Sequence, residues 1–169
     1  VIGNGAATHS KCTGLSNGTR GIFAGGQTYP GPVYLNLITY ITVASTGNGT
    51  DFGNLTVARY ELTGASNDVR GIIAGGTKSG NTTDNTIDYI TIASTGNATD
   101  FGNMSQTKDR LGSVSNASRV IFGGGSQGSS PHMVNVMEYI TIASTGNTTD
   151  FGDLIEAIRA ICGTESSTR

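Results

Sequence analysis

The tetrapeptide Thr-Asp-Phe-Gly occurs three times, with its aspartate at Asp51, Asp100 and Asp150, and each copy closes the same longer phrase. That phrase runs Tyr-Ile-Thr-Val/Ile-Ala-Ser-Thr-Gly-Asn-X-Thr-Asp-Phe-Gly and starts at Tyr40, Tyr89 and Tyr139, a period of 49 to 50 residues. Self-similarity at this spacing means stacked supersecondary units, none of which can bury its apolar face alone. A second landmark runs in phase with the first: Ser16-Asn17-Gly18-Thr19-Arg20, Ser66-Asn67-Asp68-Val69-Arg70 and Ser115-Asn116-Ala117-Ser118-Arg119. Asn-Gly and Asn-Asp accept positive φ and mark hairpin turns.

After each hairpin comes an apolar run that ends in glycines, as in Ile22 to Gly26, Ile72 to Gly76 and Ile121 to Gly125. A variable stretch of about ten residues then leads into the Tyr-Ile-Thr-Ile strand. Ile87, Tyr89 and Ala93 of that strand point one way and Ile90 and Ile92 the other, so it lies between two apolar layers. Thr-Gly-Asn then turns the chain into a short strand over Asp-Phe-Gly-Asn.

The expected unit is thus four antiparallel strands. In the second repeat they are Glu61 to Ser66, Arg70 to Gly76, Ile87 to Ser94 and Asp100 to Ser105. The first strands of the three units are expected near Ala7, Glu61 and Arg110. The whole chain reads as one repeat region with units over about 6–57, 58–107 and 108–157 and an extra first strand over 159–166. Ile155 to Ile161 looks helical in isolation, but its phase aligns it with Thr56 to Leu62, so almost no helix is expected.

Four-stranded units of this length, with a double glycine closing the second strand, resemble kelch repeats. Gly75-Gly76, Tyr89 and Phe101 fill kelch positions, although Phe101 stands where kelch repeats carry Trp. The chain has no Trp, and the basic residue after the aromatic is irregular (Arg59, Lys108, Arg159). Within kelch-like sequences the Tyr-Ile-Thr-Ile-Ala-Ser-Thr-Gly-Asn-Ala-Thr-Asp-Phe-Gly form is similar to repeats of aquatic phages, including cyanophages, and their environmental relatives. The resemblance implies an all-β, kelch-like β-propeller. Propellers use about four to eight blades. Three units plus a strand therefore imply missing blades, from a longer polypeptide of which this chain is an ordered part or from a partner chain. A leader removed ahead of Val1 is the other reading of a start without Met.

The composition argues against several functions. Of 169 residues, 13% are charged, about half the average fraction, and a net charge of -2 gives no basic footprint for nucleic acid. No apolar run reaches the roughly 20 residues of a membrane span. Cys12 and Cys162 have no metal-ligand spacing and read as buried small apolar residues. His9 and His132 occupy unrelated repeat positions and are not expected to ligate metal. Gly123 to Gly128 lacks the Lys-Ser/Thr and the helix of a phosphate loop. No catalytic residue, metal or other cofactor is expected, and the chain is read as a non-enzyme.

Residues repeated in every unit read as structural: Arg20, Arg70 and Arg119, with Asp51, Asp100 and Asp150 as their expected ion-pair partners or as turn acceptors. Eight Asn-X-Ser/Thr sequons occur, at Asn17, Asn48, Asn54, Asn81, Asn97, Asn103, Asn116 and Asn147. Asn48, Asn97 and Asn147 are equivalent turn positions and candidate glycosylation sites. Where the repeats disagree, in the loops after the double glycines, Tyr29, Tyr34, Lys78 and His132 are the candidates for contact with a partner, including a host-surface glycan. The expected function is a structural or adhesion module of a phage virion (a tail fibre or appendage) or of another extracellular assembly. The alternative is a fragment of a propeller hydrolase or oxidase whose active residues lie elsewhere.

Overall fold

The computed structural model describes residues 8–128 and 133–164. It is all-β, and among the described residues no helix occurs. None is therefore long and apolar enough to cross a membrane. The strands are β1 (Thr8–Ser10), β2 (Thr13–Ser16), β3 (Arg20–Ala24), β4 (Gln27–Tyr29), β5 (Leu37–Thr42), β6 (Thr50–Asn54), β7 (Thr63–Ser66), β8 (Arg70–Ala74), β9 (Thr77–Lys78), β10 (Thr82–Thr83), β11 (Thr86–Thr91), β12 (Thr99–Asn103), β13 (Gly112–Ser115), β14 (Arg119–Gly123), β15 (Val136–Thr141) and β16 (Thr149–Asp153).

Three four-stranded antiparallel sheets follow the repeat, ordered β2-β3-β5-β6, β7-β8-β11-β12 and β13-β14-β15-β16. Register is conserved between them: Ile22 faces Tyr40, Ile72 faces Tyr89 and Ile121 faces Tyr139. Each third strand meets its outer strand across a bulge, at Ile38/Thr39, Ile87/Asp88 and Met137/Glu138. The first strands begin a few residues later than the sequence implies. Thr8–Ser10 instead pairs with Gln27–Tyr29 in a small two-stranded sheet, while Ala7 lies outside the described residues. Ile155 to Ile161 is not helical. The extra strand expected over 159–166 is not formed through Thr164, and the rest of it lies outside the described residues.

The sheets pack face to face. Each has a leading face toward the preceding sheet and a trailing face toward the next. One core joins Ile22, Ile38, Phe52 and Leu55 of the first sheet's trailing side to Leu62, Ile73, Ile90 and Ile92 on the second's leading side. The other joins Ile72, Ile87, Phe101 and Met104 to Leu111, Val120, Phe122, Ile140 and Ile142. Strand β11 thus contributes alternate residues to two cores, which is why it is apolar on both sides. The first strands of neighbouring sheets lie side by side, tied by Ser66 Oγ donating to the Ser16 carbonyl (2.5 Å), Ser115 Oγ to the Ser66 carbonyl (2.8 Å) and Ser113 Oγ to the Gly64 carbonyl (3.0 Å). These hydroxyls satisfy carbonyls that would otherwise be lost to the packing.

Antiparallel order puts the Asn17, Asn67 and Asn116 hairpins and the Thr-Gly-Asn turns at one end of every sheet. The variable loops and the inter-sheet linkers fall at the other.

Candidate functional site

The repeated residues at the turn end form one device per sheet. Arg20 lies 4.6 Å from the centre of the Tyr40 ring, Arg70 4.8 Å from Tyr89 and Arg119 4.6 Å from Tyr139. Each tyrosine meets Phe52, Phe101 or Phe151 edge-on at 5.9 to 6.0 Å. Arg20 Nη1 also donates to the Ile92 carbonyl (2.9 Å) and Arg70 Nη1 to the Ile142 carbonyl (2.7 Å), both in the following sheet. The expected partners were Asp51, Asp100 and Asp150, and the structure corrects this: none of these aspartates lies within ion-pair range of those arginines. The ring face offers the guanidinium an attraction without the desolvation of a second ion. Asp100 and Asp150 accept hydrogen bonds from the Gly102 and Gly152 amides, each at 3.1 Å.

Asn97 and Asn147 carry turns that sit on the outer strand of the preceding sheet. Their Oδ1 atoms accept from the Asn54 and Asn103 amides, both at 3.0 Å. Asn48, the equivalent in the first sheet, is exposed. Cys12 and Cys162 are exposed as well, contrary to the expectation of burial. They stand on the outermost faces of the stack, where no neighbouring sheet covers them.

The loop end is where the repeats diverge chemically. Tyr34 reaches from the first loop to the second, its hydroxyl donating to Asn81 Oδ1 at 2.6 Å. Its ring lies 4.9 Å from that of Tyr60, tilted by 41°. Lys11 Nζ sits 4.9 Å from the Tyr60 ring centre and 2.8 Å from Glu61. Arg110 Nε donates to the other Glu61 oxygen at 2.7 Å. Burial, with Tyr34 and Glu61 nearby, pushes the Tyr60 hydroxyl up from its usual value.

Lys78 pairs with Asp84 at 2.9 Å. Burial raises the Asp84 carboxyl, but hydrogen bonds from Thr86 and Lys78 more than offset it and bring it down to about 2. Tyr29 is exposed on β4, and His132 lies outside the described residues. The structure thus brings Tyr34 together with the Lys78 loop through Asn81, and leaves Tyr29 apart. Tyr60 and Asn81 were not singled out for contact. The signal for Tyr60 was available, because Tyr60, Asp109 and Arg159 share one repeat position and differ in chemistry.

Beneath this end lie two buried ion pairs. Arg59 Nη2 meets Asp88 Oδ2 at 2.6 Å, with both side chains fully buried, and Thr56 Oγ1 donates to the other carboxylate oxygen at 2.5 Å. Lys108 pairs with Glu138 in the equivalent place. Among the described residues no group of three or more His, Cys, Asp or Glu side chains is placed to hold a metal ion. No protein-family model matches the chain, and no curated protein matches it.

Proposed function

We propose that the three sheets are blades of a kelch-like β-propeller, and that the chain is a non-enzymatic structural or adhesion module. The setting we assign is a virion appendage, such as a tail fibre, or another extracellular assembly, on the strength of the resemblance to phage repeats. The observation that carries the binding part is the convergence of divergent residues at one end of a repetitive scaffold. The half-buried Tyr34 ring packs on the buried Tyr60 ring, with Asn81 at its edge and Lys11, Glu61 and Arg110 beside it, so Tyr34 is the ring left partly open to a ligand. Aromatic rings beside hydrogen-bonding side chains fit a sugar, whose C–H face stacks while its hydroxyls find polar partners. Variable loops on a rigid frame are where such specificity is generally placed.

The test is binding of the full chain to an immobilised glycan panel, repeated with Tyr34→Ala. Saccharide binding that weakens by at least about ten-fold in the variant, a loss of about 1.4 kcal/mol, supports the reading. Absence of saccharide binding, or binding indifferent to Tyr34, refutes the glycan part.

A further inference from the structure

The two internal seams between sheets share a charge rule. A linker cation of one sheet enters the leading face of the next and meets an acid there: Arg59 with Asp88, then Lys108 with Glu138. The third linker position is Ile158. Its equivalence is fixed by the backbone, since the Gly26, Gly76 and Gly125 amides donate to the Arg59, Lys108 and Ile158 carbonyls in turn. The corresponding acid position in the first sheet is Thr39, which pairs with Asp51 as Asp88 pairs with Asp100 and Glu138 with Asp150. The cation and the acid are thus missing together, one from each outer face of the stack. Placing Ile158 against another acidic sheet would bury an unpaired carboxylate, and placing Thr39 behind another basic linker would bury an unpaired cation. Ile158 against Thr39 leaves neither.

We propose that the trailing face of the third sheet docks on the leading face of the first sheet of a second copy of this chain, with Ile158 opposite Thr39. This inference rests on the propeller reading of the sheets and not on the glycan reading. The two faces are apolar where the internal seams are. Phe23 is 48% exposed while its equivalents Ile73 and Phe122 are fully buried, and Val43 is 54% exposed against 0% and 1% for Ile92 and Ile142. Phe151 and Ile158 are exposed on the facing side.

The polar fittings are ready too. Among the described residues Arg119 holds its tyrosine ring but has no carbonyl acceptor of the kind Ile92 and Ile142 supply. The missing acceptor position is Val43. The Gly53 and Gly102 positions cradle the turn of the next sheet so closely that a Cβ would meet its backbone at 2.3 Å, whereas nothing lies within 4 Å of Gly152. A second copy would lay its Asn48 turn there.

Three sheets from each copy make a ring of six with two identical seams, inside the roughly four to eight blades that close, whereas three copies would exceed that range. Residues 160–164 run along β13 where β2 of the second copy would lie. They form no strand, while β2 pairs with β3 over four residues. The 160–164 segment is therefore the one displaced.

The experiment measures mass and dissociation constant of the full chain by sedimentation, for wild type, Thr39→Asp, Ile158→Arg and the double variant. A second set, Thr39→Glu with Ile158→Lys, copies the other internal seam. We expect a wild-type mass about twice 17.3 kDa, each single variant weakening the dimer by at least about ten-fold, and each double variant recovering most of that loss. Both positions lie on outer faces of the single chain, and far-UV circular dichroism checks that the sheets persist. A wild-type monomer, an open-ended polymer, a dimer indifferent to the single variants, or a double variant that fails to recover would each overturn the proposal.

Discussion

Arg59 and Asp88 show at single-residue scale how the stack is joined. Neither side chain reaches water, and the guanidinium also donates to the Gly75 and Thr86 carbonyls at 3.0 and 2.8 Å. Removing one partner strands a buried charge, so Asp88→Ala should lower unfolding stability by about 3–5 kcal/mol. Replacing both, as Arg59→Met with Asp88→Leu, should cost much less than the single change. Urea denaturation of the three proteins measures the difference. A second outcome follows from Asp84, whose folded pKa of about 2 lies below the ordinary carboxylate value of about 3.9. A depressed pKa means that the ionised form is favoured in the fold. Its contribution, on the order of 2 kcal/mol, is present above about pH 4 and lost as pH falls through about 2. Glu138 is lowered as well, burial being outweighed by Lys108, Thr148 and Ser105, and acts in the same sense. Burial raises Asp88 and Asp109, which act in the opposite sense and shrink the net acid loss. Stability measured from pH 5 to pH 2 should therefore fall less steeply in Asp84→Asn than in wild type.

At the scale of elements, the outer strand and the turn laid upon it are the fitted pair. Gly102 has φ of 147°, and a Cβ there would collide with the Gly146 carbonyl. Gly152, at φ of 125°, has open space around it within one chain. Both positions strain an L side chain, but only the first also displaces backbone. Gly102→Ala should thus destabilise by about 1–3 kcal/mol more than Gly152→Ala, read from midpoints of chemical denaturation at low protein concentration. Elements of this kind were legible because period and turn chemistry are local: Asn-Gly, Gly-Gly and Thr-Gly-Asn fix hairpins, strand ends and turns before any tertiary contact is known. The strands start late in all three units because Lys11, Glu61 and Arg110 take positive φ just before them and interrupt the extended backbone, and in the first unit Thr8–Ser10 also pairs with β4. The arginine contacts differ from the expected ion pairs because they too are set by tertiary packing. Opposite charges in equal number suggested ion pairs, while the tyrosine facing each arginine's strand was already repeated beside them. Arg59, Lys108 and Arg159 looked like an irregular basic series, although the true register is Arg59, Lys108 and Ile158. That register is readable from the spacing, since Arg59, Lys108 and Ile158 each lie seven residues after the phenylalanine of Thr-Asp-Phe-Gly, and the Gly26, Gly76 and Gly125 amides bond to their carbonyls in turn. The loop-end cluster was legible only in part, since Tyr60 and Asn81 meet Tyr34 across a seam.

For the molecule as a whole, protection follows position in the stack. The middle sheet has neighbours on both faces, so Ile72, Ile73, Ile87 and Ile92 are all fully buried. The flanking sheets each present one face to a neighbour within the chain. Amides of β8 and β11 should exchange slowest with deuterium, and those of β3 and β16 faster, in dilute protein. Exchange measured by mass spectrometry tests this ordering, and uniform protection across the three sheets would contradict it. One further property of the stack concerns Lys11, Glu61, Arg110 and Ala160, four residues in phase with φ between 53° and 58°. The amides of Glu61, Arg110 and Ala160 donate to the carbonyls of Lys11, Glu61 and Arg110 respectively, at 2.8 to 3.0 Å. That relay holds the backbone through main-chain bonds, beside the Lys11–Glu61–Arg110 side-chain pairs, in a conformation that glycine would usually occupy. The slot accepts different side chains: a cation, an anion, a second cation and a methyl group already occupy the same backbone geometry. The rim of the loop end is a row of evenly spaced sockets, into which a new recognition chemistry can be plugged one repeat at a time while the scaffold beneath keeps its shape.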